Sequence, residues 1–211
     1  KNRRVMKCHC GGGYRNLFSG ISNSCNSYFA MAFRKTIDKY DDASKGMDIW
    51  SNHIKSFGLG NFLGNDLSVG KKGNIPNGAY YDSWYPDFKW GATTILSNAI
   101  GQGEILVTPI QLANMTAAIA NKGYYYTPHI IKSIEGKEIE ENFTTKKETS
   151  IDPEYFDPVI EGMHRVYTNG TASFLKVPGI EICGKTGTAE NFTKIDGVKT
   201  QLTDHSIFVA F

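Results

Sequence analysis

The chain has 211 residues, 40% hydrophobic and 12% aromatic, with 22 Gly and 7 Pro. A chain of that size can bury roughly 70% of its unfolded surface as a single domain over 1–211; its many Tyr, Phe, Leu and Ile exclude disorder, and the lack of a Gly period excludes a collagen-like repeat. Lys and Arg number 23 against 21 Asp and Glu, a net charge of +2, which is too even for a phosphate-binding face, so no nucleic-acid partner is expected.

The basic start Lys1, Arg3, Arg4, Lys7 leads into Cys8-His9-Cys10-Gly11 and not into a signal-peptide core, and no apolar run reaches the roughly 18 residues of a membrane span. Four cysteines, Cys8, Cys10, Cys25 and Cys183, are too few to staple a chain this long. Residues 22–40 carry Cys25, Tyr28, Phe29, Ala32, Phe33, Ile37 and Tyr40 at spacings of three and four, which predicts a helix capped by Ser22, Asn23 or Ser24. From Phe57 to Gly103 glycines and prolines interrupt every pattern, with aromatic clusters at Trp50, Trp84 and Trp90, and an irregular binding excursion is expected.

Thr108-Pro109-Ile110-Gln111 combines an N-cap, a first-turn proline and a capping-box glutamine. The helix it opens should bury Ile110, Ala113, Ala117 and Ala120 and stop at Asn121-Lys122-Gly123. A strand is expected over 124–134 and a hairpin or exposed insertion over 134–151. Asp157-Pro158 opens a helix with Val159, Met163 and Val166 on one face, ending near Asn169-Gly170. Strands follow over 180–189 and 205–211, the second still in mid-pattern at Phe211. The fold class is therefore α+β, helices packed on a mainly antiparallel sheet, with the chain expected to stop inside that sheet.

Lys185-Thr186-Gly187-Thr188-Ala189 places a cation, hydroxyls and a side-chain-free residue on an edge strand. Such a strand can pair with an extended peptide while Lys and Thr hold a carboxylate, and Gly187 lets the ligand come close. Ser24-Cys25-Asn26 alone reads as helix-capping residues. Together and in this order, the two form two of the three boxes of the serine β-lactamase and penicillin-binding group.

Further strings stand in the same order: Phe57-Gly58-Leu59-Gly60, Gly73-Asn74-Ile75-Pro76, Ala99-Ile100-Gly101-Gln102-Gly103, Thr108-Pro109-Ile110-Gln111-Leu112-Ala113, Ala120-Asn121-Lys122-Gly123 with Pro128-His129, Gly162-Met163 and Gly170-Thr171-Ala172. With these the whole chain resembles the transpeptidase domain of class B penicillin-binding proteins, closest to the elongation-type penicillin-binding protein 2 subclass. The family's nucleophilic Ser-x-x-Lys box stands well before Ser-x-Asn, yet only 23 residues precede Ser24. Ser68-Val69-Gly70-Lys71 and Ser173-Phe174-Leu175-Lys176 match by letter but follow Ser24, so the nucleophile is expected to be missing from this chain.

The resemblance implies a peptidoglycan D,D-transpeptidase that cross-links stem peptides through an acyl-serine and is the target of β-lactams. Ser24 would relay protons, Asn26 would hydrogen-bond the substrate amide, and Lys185 would orient Ser24. Thr186 and Thr188 would meet the substrate carboxylate, and the Thr188 N–H would supply half of an oxyanion hole. It also implies an inner-membrane anchor outside this chain, a periplasmic location, a glycan polymerase as membrane partner and no cofactor. A β-lactam-hydrolysing or sensing relative, or a non-catalytic peptidoglycan-binding module, are the competing readings. Gly101-Gln102-Gly103 lacks the ending of a phosphate loop and reads as a tight turn. Some members of the family hold a structural zinc through a Cys in the Ser-x-Asn box and upstream His and acidic residues; Cys8-His9-Cys10 and Cys25 correspond, and no metal is assigned.

Overall fold

The computed structural model describes residues 8, 10–67 and 69–211; Lys1, Arg3, Arg4, Lys7, His9 and Ser68 lie outside the described residues. The first helix, α1 (Leu17–Ser22), is capped reciprocally: the Ser19 N–H donates to Asn16 Oδ1 at 2.9 Å and the Asn16 N–H to Ser19 Oγ at 3.0 Å. Helix α2 (Asn26–Ile37) follows, with Cys25 as its N-cap. The expected capping by Ser22, Asn23 or Ser24 does not occur, because Ser22 and Asn23 close α1. Ser24 sits between the helices with φ +50°. Along α2 the buried stripe is Ala30, Phe33 and Ile37, and Ala32 faces solvent.

Asp42 caps α3 (Ala43–Ser56) and Asn77 caps α4 (Gly78–Trp84), two helices that the sequence pattern did not identify. With α2 they enclose one core cluster of Phe33, Ile37, Met47, Tyr81, Trp90, Ala92 and Ile95. Helix α5 (Pro109–Ala120) begins as expected: Thr108 Oγ1 accepts from the Gln111 N–H, and Gln111 Oε1 accepts from the Thr108 N–H at 2.9 Å. Its buried face is polar where an apolar stripe was expected. Ile110, Ala113 and Ala117 are not buried, whereas Gln111, Asn114, Thr116 and Ala118 are. The helix packs on the irregular segment, whose carbonyls need donors. Gln111 Nε2 serves Asn61 O at 2.8 Å and Lys72 O at 3.0 Å, and Asn114 Nδ2 serves Phe57 O at 2.9 Å.

The expected strand over 124–134 shortens to β1 (Tyr124–Tyr125), antiparallel to β2 (Lys147–Glu148), with α6 (Glu141–Thr144) in the exposed insertion between them. Helix α7 (Phe156–Thr168) buries Met163 and Val166 and ends at Asn169, as its pattern indicated. It forms a second cluster with Ile21 and Ala172, which Phe29 of α2 and Cys183 join. Strand β3 (Gly184–Ala189) pairs antiparallel with β6 (His205–Ala210), and the hairpin β4 (Phe192–Ile195) and β5 (Val198–Gln201) interrupts them. The antiparallel sheet is thus present as three two-stranded pieces among the described residues.

Gly170 fixes how α7 leads back to α1. A Cβ there would lie 2.3 Å from Ser22 O and 2.8 Å from Val166 Cα. Backbone on both sides cannot yield, so Gly170→Ala should lower stability by about 3 kcal/mol, a fall in Tm of roughly 6–12 °C by calorimetry.

Candidate active site

The turn joining α1 to α2 aims Ser24. Cys25 N–H donates to Gly20 O at 2.9 Å and Ser24 N–H to Ile21 O at 3.1 Å, the two bonds of a Schellman helix ending with Ser24 at the left-handed position that glycine usually fills. A side chain there carries a backbone cost of about 1 kcal/mol. The turn directs Cys25 into the interior, leaves Ser24 half-buried and makes Asn26 the first residue of α2.

The partner surface is β3. Cys183 and Phe211 exchange both backbone bonds, at 2.9 and 3.0 Å, so the odd-numbered residues of β3 face β6 in the ladder. The N–H and C=O groups of Thr186 and Thr188 therefore point to the other edge, which no strand among the described residues pairs. Lys185 Nζ donates to Ser24 Oγ and, at 2.7 Å, to Thr186 O. Thr186 Oγ1 lies 2.8 Å from Thr171 Oγ1 and 3.5 Å from Ser24 Oγ. Gly187 and Thr188 are exposed, leaving the strand surface open beyond the lysine.

Ser24, Lys185 and Thr186 thus meet across the contact of the α1–α2 turn with β3, with Asn26 two residues from Ser24. Thr171 was legible only as part of a string and received no role; the Ser22 carbonyl holds it there by accepting its N–H at 3.1 Å. Gln102 Nε2 reaches Thr188 O at 3.3 Å, a contact that the tight-turn reading did not foresee. Ser68 of the first by-letter Ser-x-x-Lys match lies outside the described residues. Ser173 of the second opens a short 3₁₀ helix that ends at Leu175, and its Lys176 is exposed.

Burial lowers the Lys185 amine from its ordinary 10.5 to about 8. Unfolded chains still hold that proton between about pH 8 and 10.5 while folded chains have released it, so this group makes stability rise with pH across that window. Denaturant midpoints between pH 8 and 10.5 should increase, and the increase should vanish in Lys185→Met.

Cys8, Cys10 and Cys25 bring three sulfurs within 4.8 Å of one another, with Cys8 Sγ 3.0 Å from Cys10 Sγ and 3.4 Å from Cys25 Sγ. Burial raises the Cys8 thiol, but hydrogen bonds from Cys10, Ser27 and Cys25 outweigh it and hold the thiol down at about 6. The bonds to Cys25 and Cys8 raise Cys10 to about 11. Four thiolates around zinc stand about 3.8 Å apart, so this donor set fits a soft tetrahedral ion. Cys183 is half-buried, and burial raises its thiol.

The family model described as "Penicillin binding protein transpeptidase domain" matches residues 3–211. The chain is 28% identical over 215 residues to the peptidoglycan D,D-transpeptidase MrdA of Acinetobacter baumannii, covering 95% of this chain and 30% of that relative's length. It superposes on the crystal structure of Pseudomonas aeruginosa PBP2 in complex with WCK 5153 with a TM-score of 0.74 at 30% identity, covering 95% of this chain and 42% of that one. A chain from a structure described as "Structural coordination of polymerization and crosslinking by a peptidoglycan synthase complex" matches with a TM-score of 0.63 at 28% identity, over 84% of this chain and 28% of that one. A match over nearly every residue, to relatives named MrdA and PBP2, agrees with the meeting of the Ser-x-Asn turn and the Lys-Thr-Gly strand: the chain belongs to the penicillin-binding protein transpeptidase family.

Proposed function

We propose that the chain is the part of a peptidoglycan D,D-transpeptidase that builds the substrate wall and the proton relay of an acyl-transfer site, for a serine supplied from outside residues 1–211. The observation that carries this reading is the bond from Lys185 Nζ to Ser24 Oγ, which joins two motif residues 161 positions apart beside an open strand edge. In the reaction the serine oxygen bonds to the carbonyl carbon of the penultimate D-Ala of a stem peptide, the C–N bond breaks, and terminal D-Ala leaves with a proton. An amine of a neighbouring strand then takes the acyl group and releases the serine. Ser24 passes the proton to the leaving nitrogen, and Lys185 keeps the Ser24 hydroxyl oriented and adds positive potential. Asn26 binds the substrate amide. The Thr186 and Thr188 hydroxyls meet the carboxylate, Gly187 leaves room for the ligand, and the Thr188 N–H faces the oxyanion. A β-lactam enters as an analogue of the same peptide end.

Where zinc is bound, Cys8, Cys10 and Cys25 would hold it, and its chemistry would be structural, tying the segment before α1 to the Ser-x-Asn turn. The full-length protein is read as facing the periplasm from an inner-membrane anchor and working with a glycan polymerase; the similarity to a chain of a peptidoglycan synthase complex that coordinates polymerization and crosslinking supports that partner. No helix among the described residues is long and apolar enough to cross a membrane.

The test is labelling with a fluorescent penicillin. Residues 1–211 alone should give no labelled band on a denaturing gel, and the longer protein should give a stoichiometric one on a serine before residue 1. A label mapped to Ser24 or Ser173 would overturn the reading.

A further inference from the structure

Gln102 reads from the sequence as part of a tight turn, and the function above gives it no task. The turn is built to hold this side chain still. Gly101 and Gly103 adopt left-handed backbone on either side, with φ +72° and +75°. Before it, the Gly101 N–H donates to Asn98 O and the Gln102 N–H to Ser97 O, each at 3.1 Å. After it, the Glu104 carboxylate accepts from Tyr81 Oη at 2.7 Å, and the Glu104 carbonyl accepts from Asn74 Nδ2 at 2.7 Å. Asn98 is 2% exposed and donates to Tyr81 Oη at 2.6 Å. Both ends of the loop are therefore tied to one buried polar network, which makes the position of Gln102 rigid.

From that loop Gln102 Nε2 donates to Thr188 O at 3.3 Å, while Lys185 Nζ donates to Thr186 O at 2.7 Å. The Thr186 and Thr188 carbonyls on the open edge of β3 thus each already accept one side-chain donor, whereas the N–H groups of the same two residues point to that edge, which no strand among the described residues pairs. At these two residues the edge offers uncontested donors, while each acceptor is already shared with a side chain. An extended ligand laid along a strand edge brings N–H groups as well as carbonyls, so it meets this asymmetry directly.

We propose that Gln102 is a positioning residue that guards the Thr188 carbonyl: a ligand N–H competes with the Gln102 amide for that carbonyl, whereas a ligand carbonyl or carboxylate meets the Thr186 and Thr188 N–H groups without competition. The inference rests on the acyl-transfer reading above and adds to it a basis for ligand selection. Removing the Gln102 donor should favour ligands that carry an N–H at this position over ligands that do not.

The experiment compares second-order acylation rates of the longer protein and its Gln102→Met variant with two β-lactams. Benzylpenicillin carries an amide N–H beside the lactam ring; a carbapenem carries none there. Methionine keeps the length and loses the donor. One hydrogen bond that no longer competes corresponds to about a threefold to tenfold rise in the penicillin-to-carbapenem rate ratio. Gln102→Ser serves as a second variant should the first fold poorly, with the same rise expected. An unchanged or lower ratio, including equal slowing with both drugs, makes Gln102 a structural prop and overturns the inference. If the unsubstituted protein reacts with neither drug, the acyl-transfer reading fails and takes the inference with it, a result visible before any variant is measured.

Discussion

Lys185→Ala in the longer protein should slow acylation by peptide and β-lactam alike by about 10²- to 10³-fold, the usual loss for one well-placed donor to developing charge. The substitution removes the donor to Ser24 Oγ and to Thr186 O together. It therefore releases the Ser24 hydroxyl and strips positive potential from the strand edge in one step. Cys183→Ala, two residues earlier and half-buried, should cost about 1 to 2 kcal/mol of stability and leave the rate close to the parental value. Thr186→Val keeps the shape, deletes one hydroxyl and should fall between the two. Because the Lys185 amine titrates at about 8, the rate with a carboxylate-bearing β-lactam should decline as pH rises through that value. Rates with a chromogenic cephalosporin, measured where every variant is folded, decide the matter; parental acylation by Lys185→Ala would remove β3 as the substrate wall.

The second large effect is on stability. Gln111 is 1% exposed, and its side chain serves the backbone of three residues, accepting from Thr108 N–H and donating to Asn61 O and Lys72 O. Gln111→Leu has nearly the same volume but takes the partner away from all three groups, of which Thr108 is half-buried and Asn61 and Lys72 are on exposed residues that water reaches. Each lost bond costs about 0.5–1.5 kcal/mol, so a total loss of about 2–4 kcal/mol is expected in urea denaturation. Gln111→Glu retains the acceptor for Thr108 and sets a carboxylate against two carbonyls, and should be no better. A Leu variant within about 1 kcal/mol of the parent would mean that the segment 57–73 is not held by α5.

These two residues mark what was legible in the sequence. The capping box at Thr108 and Gln111 announced α5 correctly, because the cap is a local interaction between residues three apart. The buried face of α5 was misread because it satisfies carbonyls 39 and 50 residues away, which no periodicity of apolar residues reports. Helix α3 escaped notice for a related reason: its packed positions include Gly46 and Ser51, chosen for close approach, with a Cβ on Gly46 falling 2.6 Å from Ile37 O. Helix α1 has six residues, too few to show a period. The β4–β5 hairpin turns on Asp196-Gly197, both with positive φ, a signal that was present and passed over. At the site the motif residues could be named from their order alone. Thr171 and Gln102 could not, because their places depend on the Ser22 carbonyl and on the Tyr81–Asn98–Glu104 network, which only tertiary structure assembles.

The distance along the chain between Ser24 and Lys185 also has a consequence in time. Synthesis at about 5–20 residues per second places roughly 8 to 32 s between the emergence of the serine and that of the lysine 161 positions later. For most of that interval the α1–α2 turn has neither α7 nor β3 to rest on, and until its end Ser24 holds a left-handed backbone without the β3 contact that rewards it. The Schellman turn is therefore expected to form late, after the final strands arrive. In a pulse-labelled hydrogen-exchange experiment the Ser24 and Cys25 amides should gain protection together with those of β3, and after the amides of α5.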